Sequence, residues 1–71
     1  MSKHPYVEKL AVTESNCNQV IEHLQIEKSK IEKQLSWAQA IDVDTLRIEN
    51  NLSEISDCIA DIKEWKEETI L

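Results

Sequence analysis

Residues 41–45 read Ile-Asp-Val-Asp-Thr, and this stretch decides the fold because it separates two helical apolar patterns. It crowds together β-branched and short polar residues, which are poor helix formers. The carboxylate of Asp44 is well suited to cap a helix that begins after it, and Asp42 or Thr45 could serve instead. We therefore predict a turn at 42–44 that joins two helices.

Upstream of this stretch, apolar residues recur at the spacing of one helix face. The stripe and its flanks consist of Leu10, Cys17, Val20, Ile21, Leu24, Ile31, Leu35, Ala38 and Ile41. We predict a first helix over about 5–41. Pro5 suits the first turn of a helix, where its missing N–H is not needed. Thr13 or Ser15 offers a second start, since either hydroxyl could cap a helix that begins at Glu14, and the sequence does not choose between the two starts.

Downstream, apolar residues recur at alternating steps of four and three, which is the spacing of a helix seam. They are Ile48, Leu52, Ile55, Ile59 and Ile62, with Cys58 and Trp65 beside them. We predict a second helix over about 45–68. The chain has no Gly, the residue that supplies positive-φ turns at least cost. We therefore predict an all-α fold, a single domain over 1–71 that forms an antiparallel, coiled-coil-like two-helix hairpin.

A continuous helix is the competing architecture, because neither Gly nor Pro interrupts the chain at 41–45. It would form a rod of roughly 100 Å at 1.5 Å per residue. The hairpin brings a basic cluster of the first helix beside an acidic cluster of the second, whereas a parallel rod places each cluster beside its own copy. The clusters are Lys28, Lys30 and Lys33, and Glu54, Asp57 and Asp61. Charge therefore favours the hairpin, although exposed pairs contribute only ~0.2 to 1 kcal/mol each.

The predicted hairpin leaves apolar residues uncovered, because both stripes are wider than the seam between two helices. Ile21, Leu35, Cys58 and Trp65 lie along the open side, and Trp37 lies off the stripe near the turn. A chain of this size buries a limited share of its surface, and Trp is enriched at the energetic centres of interfaces. We therefore expect these five residues to bind a partner, either a helical protein or further copies of the chain.

The nucleophilic and metal-ligating residue types show no catalytic or metal-binding pattern. Cys17 and Cys58 lie on apolar stripes at different heights of the hairpin, which predicts buried free thiols rather than a disulfide. His4 and His23 lack ligand spacing with any Cys, and we expect both at the surface. We therefore expect no enzymatic activity, no small-molecule substrate, no cofactor and no metal site.

Charge and hydropathy limit the partners further. The 14 acids outnumber the 8 bases, so the chain repels the phosphates of nucleic acids. No run approaches the roughly 18 apolar residues of a membrane span, and no signal peptide is recognisable, so we expect a soluble cytoplasmic protein. The acidic face of the second helix leaves another class open, a small regulator or inhibitor that binds a basic protein, including by mimicry of DNA.

The first helix opens with Val7-Glu8-Lys9-Leu10, a short polar turn follows, and the second helix is rich in Ile. In these features the chain resembles, from Tyr6 to about Ile62, the small helical-hairpin co-chaperones of type III secretion needle subunits. The resemblance implies that the hairpin packs on a tetratricopeptide-like chaperone and keeps the needle subunit from polymerising early. We therefore predict an interaction module, a co-chaperone or adaptor, with a self-assembling coiled-coil structural protein as a further alternative.

Overall fold

The computed structural model describes residues 3–70, and these residues form three α-helices and no strand. α1 spans Pro5–Lys9, α2 spans Cys17–Ala40 and α3 spans Leu46–Ile70. α2 packs along α3, and α1 packs on α3 as well. None of the described helices is long and apolar enough to cross a membrane. The prediction of an all-α fold with two long helices packed together is confirmed.

The seam between α2 and α3 follows the apolar spacing of the sequence. The buried residues of these two helices are Cys17, Ile21, Ala38, Cys58, Ile59 and Ile62. Lys66 Nζ donates a hydrogen bond of 2.6 Å to Asn18 Oδ1, which joins the end region of α3 to the first turn of α2. The Cα atoms extend over 44 × 24 × 17 Å, far less than the roughly 100 Å of a continuous helix. The rod is therefore excluded.

The first helix, predicted over about 5–41, is divided in two in the structure. Residues 10–16 are not helical and separate α1 from α2. Pro5 is the first residue of α1, as one predicted start requires. Near the other predicted start, the hydroxyl of Thr13 accepts from the N–H of Asn16 at 3.3 Å, and the side chain of Asn16 accepts from the N–H of Thr13 at 2.8 Å. This reciprocal pair forms the turn that leads into α2.

A Schellman motif explains why α1 ends after so few residues. Ala11 takes a left-handed conformation with φ of 53°. The N–H of Ala11 donates to the carbonyl of Glu8 at 3.2 Å, and the N–H of Val12 donates to the carbonyl of Val7 at 2.9 Å. This bond pattern satisfies the last carbonyls of a helix, and an apolar contact commonly accompanies it. Val7 and Val12 are both buried, and their burial stabilises the reversal of the chain.

The same motif ends α2. Asp42 has φ of 58°, its N–H donates to the carbonyl of Gln39 at 3.3 Å, and the N–H of Val43 donates to the carbonyl of Ala38 at 3.1 Å. The absence of Gly therefore does not prevent positive-φ turns in this chain, because Ala11 and Asp42 supply them. Short polar residues such as Asp enter this conformation more readily than Ala does.

Residues 41–45 connect α2 to α3, where the sequence predicts a turn at 42–44. Three residues were candidates to cap the second helix. Asp44 Oδ1 accepts a hydrogen bond of 3.0 Å from the N–H of Leu46, the first residue of α3. The carboxylate of Asp44 therefore satisfies a backbone donor that the helix itself leaves unpaired.

We expect Asp44→Ala to lower the free energy of unfolding by about 1 kcal/mol, because it removes this acceptor from the first turn of α3. Urea unfolding followed by circular dichroism measures the change. Asp44→Asn is the matched control, since its carboxamide oxygen can accept the same hydrogen bond. An equal loss in both variants would mean that the hydrogen bond does not stabilise the helix.

Candidate interaction surface

The five residues predicted to bind a partner fall into different environments. Ile21 and Cys58 are buried within the chain itself. Leu35 and Trp65 are half-buried. Trp37 is 66% exposed. Of the five, Trp37 alone is exposed.

The open side of the α2–α3 pair is covered by the chain's own N-terminal segment, residues 3–12, which we call the strap. The strap contributes two side chains to a buried apolar cluster. The cluster consists of Val7, Val12, Cys17, Ile21 and Ile62. Trp65 packs against this cluster and is half-buried there. The open apolar side that the sequence assigns to a partner is therefore covered by the chain's own strap. Ile21 and Cys58 are buried in this arrangement.

A polar cluster around the buried His4 holds the start of the strap on α3. His4 is 7% exposed, its Nδ1 lies 2.8 Å from Asp61 Oδ1, and its Nε2 lies 2.8 Å from Glu68 Oε2. The second oxygen of Asp61 accepts from the N–H of Tyr6 at 3.1 Å. Lys3 Nζ donates to Glu68 Oε1 at 2.6 Å. The prediction that His4 lies at the surface is wrong, because these carboxylates pair with both ring nitrogens and permit burial.

The geometry of this cluster selects one protonation state of the imidazole. A neutral imidazole has a single N–H, whereas both ring nitrogens here face carboxylate oxygens, so the doubly protonated ring fits best. The hydrogen bonds to Glu68 and Asp61 raise the pKa of His4 above its ordinary value of 6.5. The hydrogen bonds from Lys3 and His4 lower the pKa of Glu68 below its ordinary value of 4.5. The cluster is therefore a network of charged groups. The other histidine, His23, is exposed, as predicted.

The charge pairing predicted between the two long helices is not observed. Asp61 binds His4 instead, and Lys30 Nζ lies 3.7 Å from Glu27 Oε1 of its own helix. Within residues 3–69, no ion pair joins the basic cluster of α2 to the acidic cluster of α3. The interruption at 41–45 is explained by the Schellman motif and the Asp44 cap rather than by charge.

Burial limits the access of reagents to both thiols. Cys17 and Cys58 are free and buried. Burial raises the pKa of the Cys58 thiol, Glu54 raises it further, and Lys9 acts in the opposite direction. A thiol with a raised pKa is a weak nucleophile at neutral pH because the thiolate is the reactive form. No group of three or more His, Cys, Asp or Glu side chains in the described part of the chain could hold a metal ion.

Large apolar side chains are exposed where α2 connects to α3. They are Trp37 at 66%, Leu46 at 61%, Ile41 at 48% and Val43 at 48% exposure. We call these four residues the Trp37 surface. Trp37 and Ile41 are four residues apart and share one face of the last turns of α2. The Schellman motif holds the backbone of Val43 beside the same turns. The fold thus places an apolar surface at one end of the molecule.

The outer face of α2 extends this surface and adds positive charge. Ile26, Lys30, Lys33 and Trp37 follow the spacing of one helix face, and all four are exposed. The four positions carry two Lys and no acid, although the chain as a whole has a net charge of −6. Sequence periodicity could have found this face, since it lies opposite the apolar stripe of the same helix.

Comparisons with family models, with curated proteins and with solved structures found no match to this chain. The resemblance to the needle-subunit co-chaperones therefore rests on the order of helices and the apolar spacing alone.

Proposed function

We propose that the protein is a non-enzymatic protein–protein interaction module that binds a helical partner through the Trp37 surface. The observation that carries the proposal is the 66% exposure of Trp37 on a helix whose opposite face is buried. Trp exposes a large apolar area to water, and it is the residue type most enriched at the energetic centres of interfaces. Trp37 is not part of the buried cluster, so its side chain has no role in the core.

The proposal includes an antiparallel hairpin as the scaffold. The hydrogen bond between Lys66 and Asn18 supports this arrangement, since it links the end region of α3 to the start of α2. The short connection at 41–45 supports it as well, because few residues are available to carry the chain elsewhere. In such a hairpin the connection and the Trp37 surface lie at one end, and the start of the strap is held on α3 at Asp61 and Glu68, away from that connection.

The chemistry of the outer face of α2 indicates the kind of helix that would bind. Lys30 and Lys33 lie on the same face as Trp37, and their stems can cover apolar surface while the ammonium groups stay in water. A partner helix that carries carboxylates beside its apolar residues would satisfy both features. This description fits a co-chaperone or adaptor that packs on a larger helical protein.

The proposal is tested by comparing two forms of the full chain as bait in a lysate of the cells that produce it. We expect a captured protein to bind Trp37→Ala at least about thirtyfold more weakly than the wild type, because truncation of a Trp at the energetic centre of an interface costs about 2 kcal/mol or more. Ser36→Ala is the matched control, since Ser36 is an exposed neighbour on the same helix. If every captured protein binds the Trp37→Ala form with unchanged affinity, the Trp37 surface is not the binding site.

A small acidic regulator is the second candidate, and the exposed acids of α3 favour it. Glu49, Glu54 and Asp57 are exposed, and none of them takes part in an ion pair within residues 3–69. Asp61 does not belong to this set because it binds the strap. Reversing the three exposed acids to Lys distinguishes the candidates. Loss of the partner on charge reversal, with normal binding of Trp37→Ala, would assign binding to α3.

A further inference from the structure

We infer that the strap is a pH-dependent latch, which covers the apolar groove between α2 and α3 while His4 is doubly protonated and opens when His4 loses a proton. The groove is lined by Cys17 and Ile21 of α2 and by Ile62 of α3. This inference is independent of the Trp37 surface and goes beyond the proposed function.

Two carboxylates of α3, those of Asp61 and Glu68, accept hydrogen bonds from the strap within residues 3–69. Asp61 accepts from the ring of His4 and from the backbone of Tyr6, and Glu68 accepts from the ring of His4 and from Lys3. α3 is the helix packed against α1, and Asp61 and Glu68 of α3 are the charged groups that act on His4 among the described residues. Lys3 of the strap pairs with the same Glu68, and Glu64 of α3 also acts on Lys3. His4 is the group that bridges the two carboxylates.

Loss of one proton breaks this bridge. Neutral imidazole can donate to Asp61 or to Glu68 but not to both, and its second nitrogen then points a lone pair at a carboxylate oxygen 2.8 Å away. At the Asp61 end of the bridge little water can enter to replace a lost hydrogen bond, because the side chains of His4 and Asp61 are only 9% and 14% exposed. The neutral ring is therefore expected to leave the cluster, and the strap to leave with it.

The sign of the pH dependence follows from the two shifted groups. The pKa of His4 is raised in the folded chain, so its stabilisation of the closed strap is complete below 6.5 and is lost as pH rises through the raised pKa. The pKa of Glu68 is lowered, so its contribution is complete above 4.5 and is lost as pH falls through the lowered pKa. The closed strap is therefore most stable between these two values, and alkaline pH opens it.

The rest of the strap is anchored weakly enough to detach while α2 and α3 stay folded. α1 has five residues, too few to be stable as an isolated helix. The residues of the strap that pack in the buried cluster are Val7 and Val12. Ala11 holds a left-handed conformation that disfavours the closed form. Local opening of such a weakly anchored segment requires less free energy than global unfolding.

Thiol accessibility measures this opening directly. Cys17 is 1% exposed in the groove beneath the strap, and Cys58 is 8% exposed. Tyr6 and Lys9 of the strap lie close enough to Cys58 to couple electrostatically with it. The rate at which 4,4′-dithiodipyridine reacts with the folded full chain therefore reports the fraction of open strap. Because thiol reactivity itself changes with pH, the rate is compared at each pH with that of His4→Gln.

We expect His4→Gln to react about fivefold or more faster than the wild type at pH ~5.5, because Gln cannot bridge two carboxylates as a cation. We expect the rate of His4→Gln divided by the rate of the wild type to fall toward one as pH rises to ~9, since the wild-type strap opens over that range. His4→Lys keeps a cation at this position, and its rate relative to His4→Gln should not show this fall. A ratio that stays constant with pH, or that equals one at the acidic end, would overturn the inference.

A second measurement uses the intact strap and does not depend on how His4→Gln folds. In His23→Gln, which leaves one imidazole, the ring protons of His4 and the methyl groups of Val7 and Val12 are followed by NMR across the same pH range. We expect all of them to shift with one midpoint. If His4 titrates while the methyl resonances keep their positions, the ring does not control the strap, and the latch is refuted.

Discussion

Ile62→Ala is expected to lower the free energy of unfolding by about 4 kcal/mol, because it removes a fully buried side chain and leaves a cavity. Ile62 is 0% exposed and lies in the cluster where the strap meets both long helices. A domain of 71 residues has a total stability of roughly 4–10 kcal/mol, so this single change should bring the chain close to unfolding.

Ile26→Ala is the matched control for this substitution. Ile26 also lies within a long helix, so the gain in helix propensity from Ile to Ala is the same in both variants. Its side chain is 50% exposed and belongs to no buried cluster, and we expect a change within about 0.5 kcal/mol. Urea unfolding followed by circular dichroism compares the two. Similar losses at both positions would contradict the placement of the core around Ile62.

The sequence locates the core on the correct helix faces, but the most buried residues are not the three that it places at the centre of the seam. Its apolar spacing places the centre of the seam at Ile31, Leu52 and Ile59. In the structure Ile59 is buried, whereas Ile31 and Leu52 are half-buried. The strap adds a third layer at the end of the bundle that contains Ile62, and the two most buried side chains, Ile62 and Cys17, belong to the cluster in which three segments meet. Helix faces are local properties that periodicity reveals, whereas the position of a third layer is not local.

The docking of the strap could not be predicted because its contacts join distant parts of the chain. His4 and Asp61 are separated by 57 residues, and nothing in their immediate sequence marks them as a pair. For the same reason the sequence assigns Ile21 and Cys58 to an open side that the strap covers. Trp37 was recognisable because its position off the apolar stripe of α2 is itself a local feature. The part of the candidate surface that depends on one helix was therefore accessible from sequence.

We expect the double variant Ala11→Gly, Asp42→Gly to raise the free energy of unfolding by about 1.5 kcal/mol. The larger share is expected at Ala11, because Asp tolerates the left-handed region better than Ala does. Ala11 and Asp42 have φ of 53° and 58°, a region where a Cβ atom is unfavourable and Gly carries no such penalty. Both residues are exposed, so the substitutions remove no packing. The gain is a net figure, since Gly also increases the conformational entropy of the unfolded chain.

Two controls identify the origin of this gain. Gln34→Gly places glycine at an exposed position inside α2, where it should cost about 1 kcal/mol. Asp42→Asn keeps a side chain that tolerates the left-handed region but removes a negative charge from the C-terminus of α2, where the helix dipole disfavours anions. If Asp42→Asn stabilises as much as Asp42→Gly, charge rather than backbone conformation limits stability at that end. If Ala11→Gly fails to stabilise the chain, the backbone at residue 11 is not strained, and the short length of α1 needs another explanation.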